Sequence, residues 1–353
     1  MISKIRTKLR YTFIHNIFIF FRYTLHDVLV IRMYRSMLRG YYKKALTYPF
    51  KSLVNRIKGR PKTVVIDIVS VCNLRCPLCS VPPDIAREST QKKHIDIDAY
   101  KKIIDSLAGF ATDLSLVYSG EPLIHPKFGD IVGYTRERYF TNTITNATLM
   151  DDRRLSYIID GLDYVQISYD GHSKKSFEAY RIGADFDKVK ENIEKMMKAR
   201  NASKVKLPLV TATFLINSFN ETEVDAARSY LKGLGVDRFF AKPINLNVHR
   251  RSDGKGEEEL VEWLPIENEV TLYDKIDEGL AFKDQKAPCS IWRSPVIRGD
   301  GEVLMCCHDL NNTVKIGNVI KEPFTRLWDT EGYLDIRNKA AARQHAMCKI
   351  CGK

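Results

Sequence analysis

Between Cys79 and Cys289 this 353-residue sequence has no cysteine, and residues 1–62 hold a single acidic side chain, Asp27. Long apolar runs are missing too. The longest in the N-terminal segment falls far short of the roughly 18–20 residues that span a bilayer, and Arg22, His26 and Asp27 interrupt it. No small-residue cleavage site follows a compact apolar stretch, which argues against a secretory signal. Internal repeats and low-complexity tracts are also lacking. Without an export signal, disulfides explain eight cysteines poorly, and metal or cluster ligation in a reducing cytoplasm explains them better.

The acids that are missing set the charge. Residues 1–62 carry 15 Lys and Arg against Asp27, a net of +14, within a total of +13. Residues 63–353 carry 41 basic and 42 acidic side chains and are nearly neutral. The basic character therefore belongs to an extension over residues 1–60, expected to be helical, and not to the body. No nucleic-acid groove, and no nucleic-acid partner, is expected on such a body. Strong salt-dependent RNA binding by residues 1–62 would revive that rival. Residues 11–14 and 17–23 mix Phe, Ile and Tyr with the basic side chains, as suits an interfacial helix on an anionic leaflet. Helices packed on the body, or holding a partner protein, fit the same pattern.

From residue 63 onward, strand-like and helix-like patterns alternate. Segments 63–69, 113–118, 141–144, 164–168, 209–214 and 238–241 read as strands, and 98–107, 152–159, 186–199 and 221–233 as helices. Alternation of this kind makes an α/β fold with a parallel sheet, whose ligands sit at the C-terminal strand ends. Residues 246–285 read as a linker with helical segments. A hairpin turning at Gly299, Asp300 and Gly301 follows, then helices near 324–329 and 333–341.

Directly after the first strand come Cys72, Cys76 and Cys79, spaced C-x3-C-x2-C. Three thiolates from one tight loop can hold three irons of a cubane and leave the fourth open. A zinc knuckle is the alternative, but zinc takes four ligands, and no cysteine stands near enough in sequence to complete it.

Ser119, Gly120, Glu121 and Pro122 follow the second strand, Thr145 and Asn146 the third, and Ser168, Tyr169, Asp170 and Gly171 end the fourth. With the cysteine triad and Tyr180–Arg181, this order resembles the radical S-adenosylmethionine (SAM) superfamily over residues 61–245. The resemblance implies a partial (β/α)6 TIM-like barrel and a [4Fe-4S] cluster whose open iron chelates SAM. It also implies SAM contacts at Gly120, Glu121, Asn146, Ser168, Asp170 and Arg181, with Glu121 accepting from the amino group and Arg181 pairing with the carboxylate. Ala147 stands where that family usually has glycine, and Leu78 where an aromatic residue often lies near adenine.

Residues 286–353 resemble an auxiliary-cluster domain of the SPASM or shorter twitch type, through Cys289, Gly301-x4-Cys306 and Cys348-x2-Cys351. A complete SPASM domain has further cysteines after the C-x2-C, and none stands beyond Cys351 here. The resemblance thus implies one fully ligated auxiliary [4Fe-4S] cluster on Cys289, Cys306, Cys348 and Cys351, with Cys307 spare. A four-thiolate zinc site is the alternative. The implied chemistry is a dehydrogenase-type oxidation of a small molecule or carrier-linked sugar, supplied with electrons by a flavodoxin or ferredoxin. Peptide or protein modification, as in sulfatase maturation, is the rival. An epimerase or methyltransferase would leave no net oxidation. The base stays unidentified, because Arg293, His308, Asp309, Asn217 and Lys242 read equally well as structural or solvated groups.

Overall fold

The structure is a computed structural model that describes residues 27–79, 94–246, 257–267, 270–276, 279–283, 289, 294–309 and 313–349. Two helices come first, α1 (Asp27–Leu38) and α2 (Tyr42–Ile57). Six strands alternating with helices follow, beginning with β1 (Thr63–Ile66), α3 (Ile97–Ser106), β2 (Asp113–Ser115), α4 (Phe128–Thr135), β3 (Phe140–Thr145) and α5 (Asp152–Gly161). Then come β4 (Tyr164–Ser168), α6 (Lys174–Tyr180), α7 (Phe186–Ala202), β5 (Leu209–Ile216), α8 (Val224–Gly233) and β6 (Arg238–Pro243). The six strands are all parallel and lie in sequence order.

Local chemistry explains the boundaries. Asp96, Asp151, Ser173 and Asp185 each accept hydrogen bonds from the first-turn N–H groups of α3, α5, α6 and α7, which those helices cannot satisfy internally. The strands supply Val64, Ile66, Leu114, Val165, Ile167 and Phe214 to one apolar core shared with the inner faces of the helices.

Past β6, a short helix α9 (Glu257–Leu260) precedes a hairpin of β7 (Tyr273–Ile276) and β8 (Gly279–Phe282). The next hairpin, β9 (Val296–Ile297) and β10 (Val303–Leu304), joins the main sheet, β9 running parallel to β1. The sheet is therefore an open one of eight strands in the order β10-β9-β1-β2-β3-β4-β5-β6. Val65 N–H donates to Pro295 O at 2.9 Å and Asp67 N–H to Ile297 O at 2.8 Å, so β9 satisfies an edge of β1 that would otherwise be bare. Helices α10 (Phe324–Trp328), α11 (Glu331–Ala341) and α12 (Ala346–Lys349) close the described chain.

Helices α1 and α2 dock at the N-terminal ends of the strands, opposite the C-terminal ends. Arg32 reaches Asp113 at 2.8 Å, at the start of β2. Lys44 reaches Asp163 at 2.7 Å, just before β4, and Tyr48 packs edge-on to Phe140 at the start of β3. Basic side chains on the inner faces thus answer acids at the strand starts. Among the described residues, no helix is long and apolar enough to cross a membrane.

Candidate active site

Residues 72–79 form the loop after β1, at the C-terminal strand ends. Several N–H donors turn toward its sulfurs: Leu74 N–H lies 3.4 Å from Cys72 Sγ, Asn146 Nδ2 3.8 Å from the same sulfur, and Arg181 Nη1 3.5 Å from Cys76 Sγ. Donors aimed at thiolates offset the negative charge a cluster brings. Burial pushes the Cys76 thiol up, so the loop alone favours neutral sulfur, and bound iron would have to hold it deprotonated. Among the described residues, no three His, Cys, Asp or Glu side chains converge on a single metal ion. A cubane asks for something different, each thiolate on its own iron. Three cysteines on one loop, with N–H donors turned toward two of their sulfurs, are a donor set that fits a cluster.

The loop after β2 packs against this one backbone to backbone. Glu121 N–H donates to Val71 O at 2.9 Å, and a Cβ on Gly120 would stand 2.4 Å from the carbonyl oxygens of Val69 and Val71. Only glycine allows that approach. The Glu121 carboxylate is buried and already engaged, accepting from Leu123 N–H (3.1 Å), Thr145 Oγ1 (2.8 Å) and Asn146 N–H (2.8 Å). It braces the loop after β2 to the loop after β3. Asn146 extends the chain of contacts, its Nδ2 lying 3.0 Å from Asn73 Oδ1. Ala147 takes a φ of +62°, the left-handed region that explains the glycine usual there.

Asp67 did not stand out in the sequence, although an acid inside an otherwise apolar strand is a signal. It accepts from Ser119 N–H at 3.2 Å and Ser119 Oγ at 2.8 Å, fixing the second loop from below. Burial pushes its carboxyl from 3.8 up to about 6. The folded chain then holds this proton longer than the unfolded chain, so stability is lost as pH rises from about 4 through about 6. The loss is on the order of 2–3 kcal/mol. Asp67→Asn keeps the shape and is expected to flatten that decline, visible as denaturation midpoints at pH 4.5 and 7.5 that differ less than in wild type.

At the end of β4, Ser168 pairs with Thr213 in the ladder, and Asp170 lies fully buried beyond it. One Asp170 oxygen accepts from Leu215 N–H at 2.7 Å. The other accepts from both Arg181 Nε, at 2.7 Å, and Nη2, so two charge-assisted bonds converge on one oxygen. Burial opposes the Arg181 charge, but Asp170 and Cys76 hold it protonated even more firmly than free arginine. Leu78 is buried with Tyr180, Ile244, Leu246 and Trp263, so segments beyond β6 pack against the cysteine loop.

In the C-terminal segment, Cys306 is buried with Met305 and Ala340, and Cys348 packs against the same cluster. His308 N–H points at Cys306 Sγ from 3.4 Å, and burial pushes that thiol up to about 12. Cys306 is part of this apolar packing, and Cys307 is half-buried. Cys289 is half-buried, while Cys351 and Arg293 lie outside the described residues. Of the base candidates, Asn217 and Asp309 serve their own turns: Asn217 accepts from Phe219 N–H, and Asp309 from Thr313 and Val314. Lys242 is exposed and His308 buried.

Comparison with known proteins agrees with this layout. Residues 66–231 match the Radical SAM superfamily and residues 289–352 the SPASM iron-sulfur cluster-binding domain. The tungsten-containing aldehyde ferredoxin oxidoreductase cofactor-modifying protein of Pyrococcus furiosus is 26% identical over 327 residues, covering 82% of this chain and 87% of that protein. The PqqA peptide cyclase of Bradyrhizobium diazoefficiens is 34% identical over 115 residues, 32% of this chain and 30% of the cyclase. The GTP 3',8-cyclase of Chlorobaculum tepidum is 29% identical over 178 residues, 49% of this chain and 51% of that enzyme. Among solved structures, Streptococcus suis SuiB bound to precursor peptide SuiA matches with a TM-score of 0.59 at 14% identity, over 84% of this chain and 71% of SuiB. Native anSMEcpe with bound AdoMet and Cp18Cys peptide matches at 0.56 and 17%, over 82% of this chain and 85% of anSMEcpe. With the thiol triad at the head of an open parallel α/β sheet and a second cysteine set behind it, the chain belongs to the radical SAM superfamily and carries a C-terminal SPASM-type iron-sulfur domain.

Proposed function

We propose that this radical SAM enzyme oxidises its substrate by two electrons, removing hydrogen from a C–H beside oxygen, nitrogen or sulfur on a small molecule or carrier-linked sugar. A cluster on Cys72, Cys76 and Cys79 with SAM would supply hydrogen-atom abstraction, and a centre on Cys289, Cys306, Cys348 and Cys351 would accept the second electron while a base takes the proton. One electron from a flavodoxin or ferredoxin, in a reducing cytoplasm, starts each turnover. Arg181 is held by Asp170 through Nε and Nη2, which leaves Nη1 toward the cysteine loop, where it would pair with the SAM carboxylate. The backbone of Gly120 and Glu121, with Asn146 and Ser168, forms the rest of the SAM cradle. The basic extension is a peripheral membrane contact in this reading.

The observation that carries it is the meeting of Cys306 and Cys348 in one apolar cluster, with an N–H donor on Cys306. A centre held there by Cys289, Cys306, Cys348 and Cys351 would leave no iron open to substrate, which suits electron transfer. The match to the Pyrococcus furiosus cofactor-modifying protein over most of both chains supports a non-peptide substrate. The PqqA peptide cyclase match, though shorter, supports a peptide as the second reading.

The test is the Cys306→Ala variant, anaerobically reconstituted beside wild type. About four irons should be lost from about eight, while dithionite still drives 5′-deoxyadenosine formation. A wild type that binds only about four irons has no electron acceptor for the oxidation, and the dehydrogenation reading fails.

A further inference from the structure

Helix α2 is amphipathic in an inverted sense. The face it turns to the body buries Lys44, Ala45, Tyr48 and Asn55. Its outer face carries Tyr42, Leu46, Phe50, Leu53 and Ile57, each between 57% and 76% exposed. Steps of four, four, three and four residues set these five side chains in one stripe. Leu38 at the end of α1 is exposed as well. A helix whose only task was to pack on the body would turn such a stripe inward. A contiguous apolar patch of this kind, rimmed by polar residues, marks a surface that something apolar meets.

The rim says what that something is. Lys43, Arg56 and Lys58 are exposed beside the stripe, and residues 28–62 contain no acid. Apolar and aromatic side chains flanked by cations alone are complementary to an anionic lipid surface, and poorly matched to a basic or neutral protein face. We propose that α2 lies in the interface of an anionic bilayer. Its stripe enters the acyl boundary, and Lys43, Arg56 and Lys58 meet headgroup phosphates. This deepens the membrane-contact reading above and rests on it.

The docking geometry adds an orientation. Both helices hold the N-terminal ends of the strands, through Asp113, Asp163 and Phe140. The cysteine loop, residues 119–122 and Asp170 stand at the opposite, C-terminal ends. A chain seated on its α2 stripe turns the mouth of the SAM site away from the lipid. The substrate therefore arrives from the aqueous side, on a soluble carrier or free, and not from within the leaflet.

The test uses the full-length, cluster-loaded protein with two kinds of vesicle, phosphatidylcholine alone and phosphatidylcholine mixed with phosphatidylglycerol. Wild type should co-sediment with the mixed vesicles, and at least about tenfold less with the neutral ones. Leu46→Gln/Phe50→Gln, and separately Leu53→Gln/Ile57→Gln, should weaken partitioning at least about tenfold. Both variants should still form 5′-deoxyadenosine at the wild-type rate, which shows the core intact. Vesicle-bound wild type should do the same, because its mouth is open to water. Absence of binding to mixed vesicles overturns the membrane reading itself. Undiminished binding by both variants overturns the stripe and shifts the contact to residues 1–26. Loss of SAM cleavage on vesicles overturns the orientation alone.

Discussion

Reconstituted wild-type protein is expected to carry about eight irons, and the Cys72/Cys76/Cys79→Ala triple variant about four, with 5′-deoxyadenosine formation abolished. The effect is expected to be total because the triple variant removes every thiol of the loop, and the next cysteine in the sequence is Cys289. Among the described residues, the sulfurs of Cys72 and Cys76 are the ones met by Leu74 N–H, Asn146 and Arg181. Iron counting separates this outcome from misfolding, since a collapsed chain would lose the C-terminal centre as well. A variant that kept SAM cleavage would move the chemistry elsewhere and defeat the assignment of the first cluster.

The second large effect is expected at Asp170→Asn, which preserves shape and removes charge. Arg181 would then be a buried guanidinium whose Nε and Nη2 donors face an amide. Breaking one side of a buried pair typically costs about 3–5 kcal/mol, much of it the uncompensated charge left behind. Leu215 N–H, held by the other oxygen at 2.7 Å, would keep an acceptor in the asparagine Oδ1, so the end of β5 should stay in register. A lower denaturation midpoint is expected, together with a KM for SAM raised about tenfold or more as the guanidinium loses its fixed pose. The double variant Asp170→Asn/Arg181→Met should recover much of the stability, since no orphan charge remains, and none of the SAM affinity. If the double variant were no more stable than the single one, the pair would not be the source of the loss.

Much of the fold was legible because its signals are local. Strand β4 coincides with the segment read from the sequence, 164–168, and α3, α5 and α7 differ from it by a few residues at their ends. Helices α4 and α6 escaped notice for physical reasons. Gly129 and Gly133 weaken the helical pattern of α4, and α6 is too short to show a period. The hairpin about Gly299 and Gly301 was readable from its turn, but its place beside β1 was not, because pairing between distant segments leaves no mark in either one alone.

The same division runs through the site. Cysteine spacing within one loop is fixed by covalent geometry, so Cys72, Cys76 and Cys79 announced a cluster loop, and the motifs at the strand ends announced SAM. By itself the sequence determined the superfamily, the alternation of strands and helices and the placing of charge in the extension. Tertiary structure decided that Glu121 spends its oxygens bracing two loops, that Asp170 holds Arg181, and that Asp67 anchors Ser119. It also decided that Lys44 turns inward to Asp163 while Leu46 and Phe50 face out. Those choices depend on which groups folding brings within hydrogen-bond reach and which it removes from water, and residues as far apart in the chain as Lys44 and Asp163 acquire that relation only once the sheet has formed.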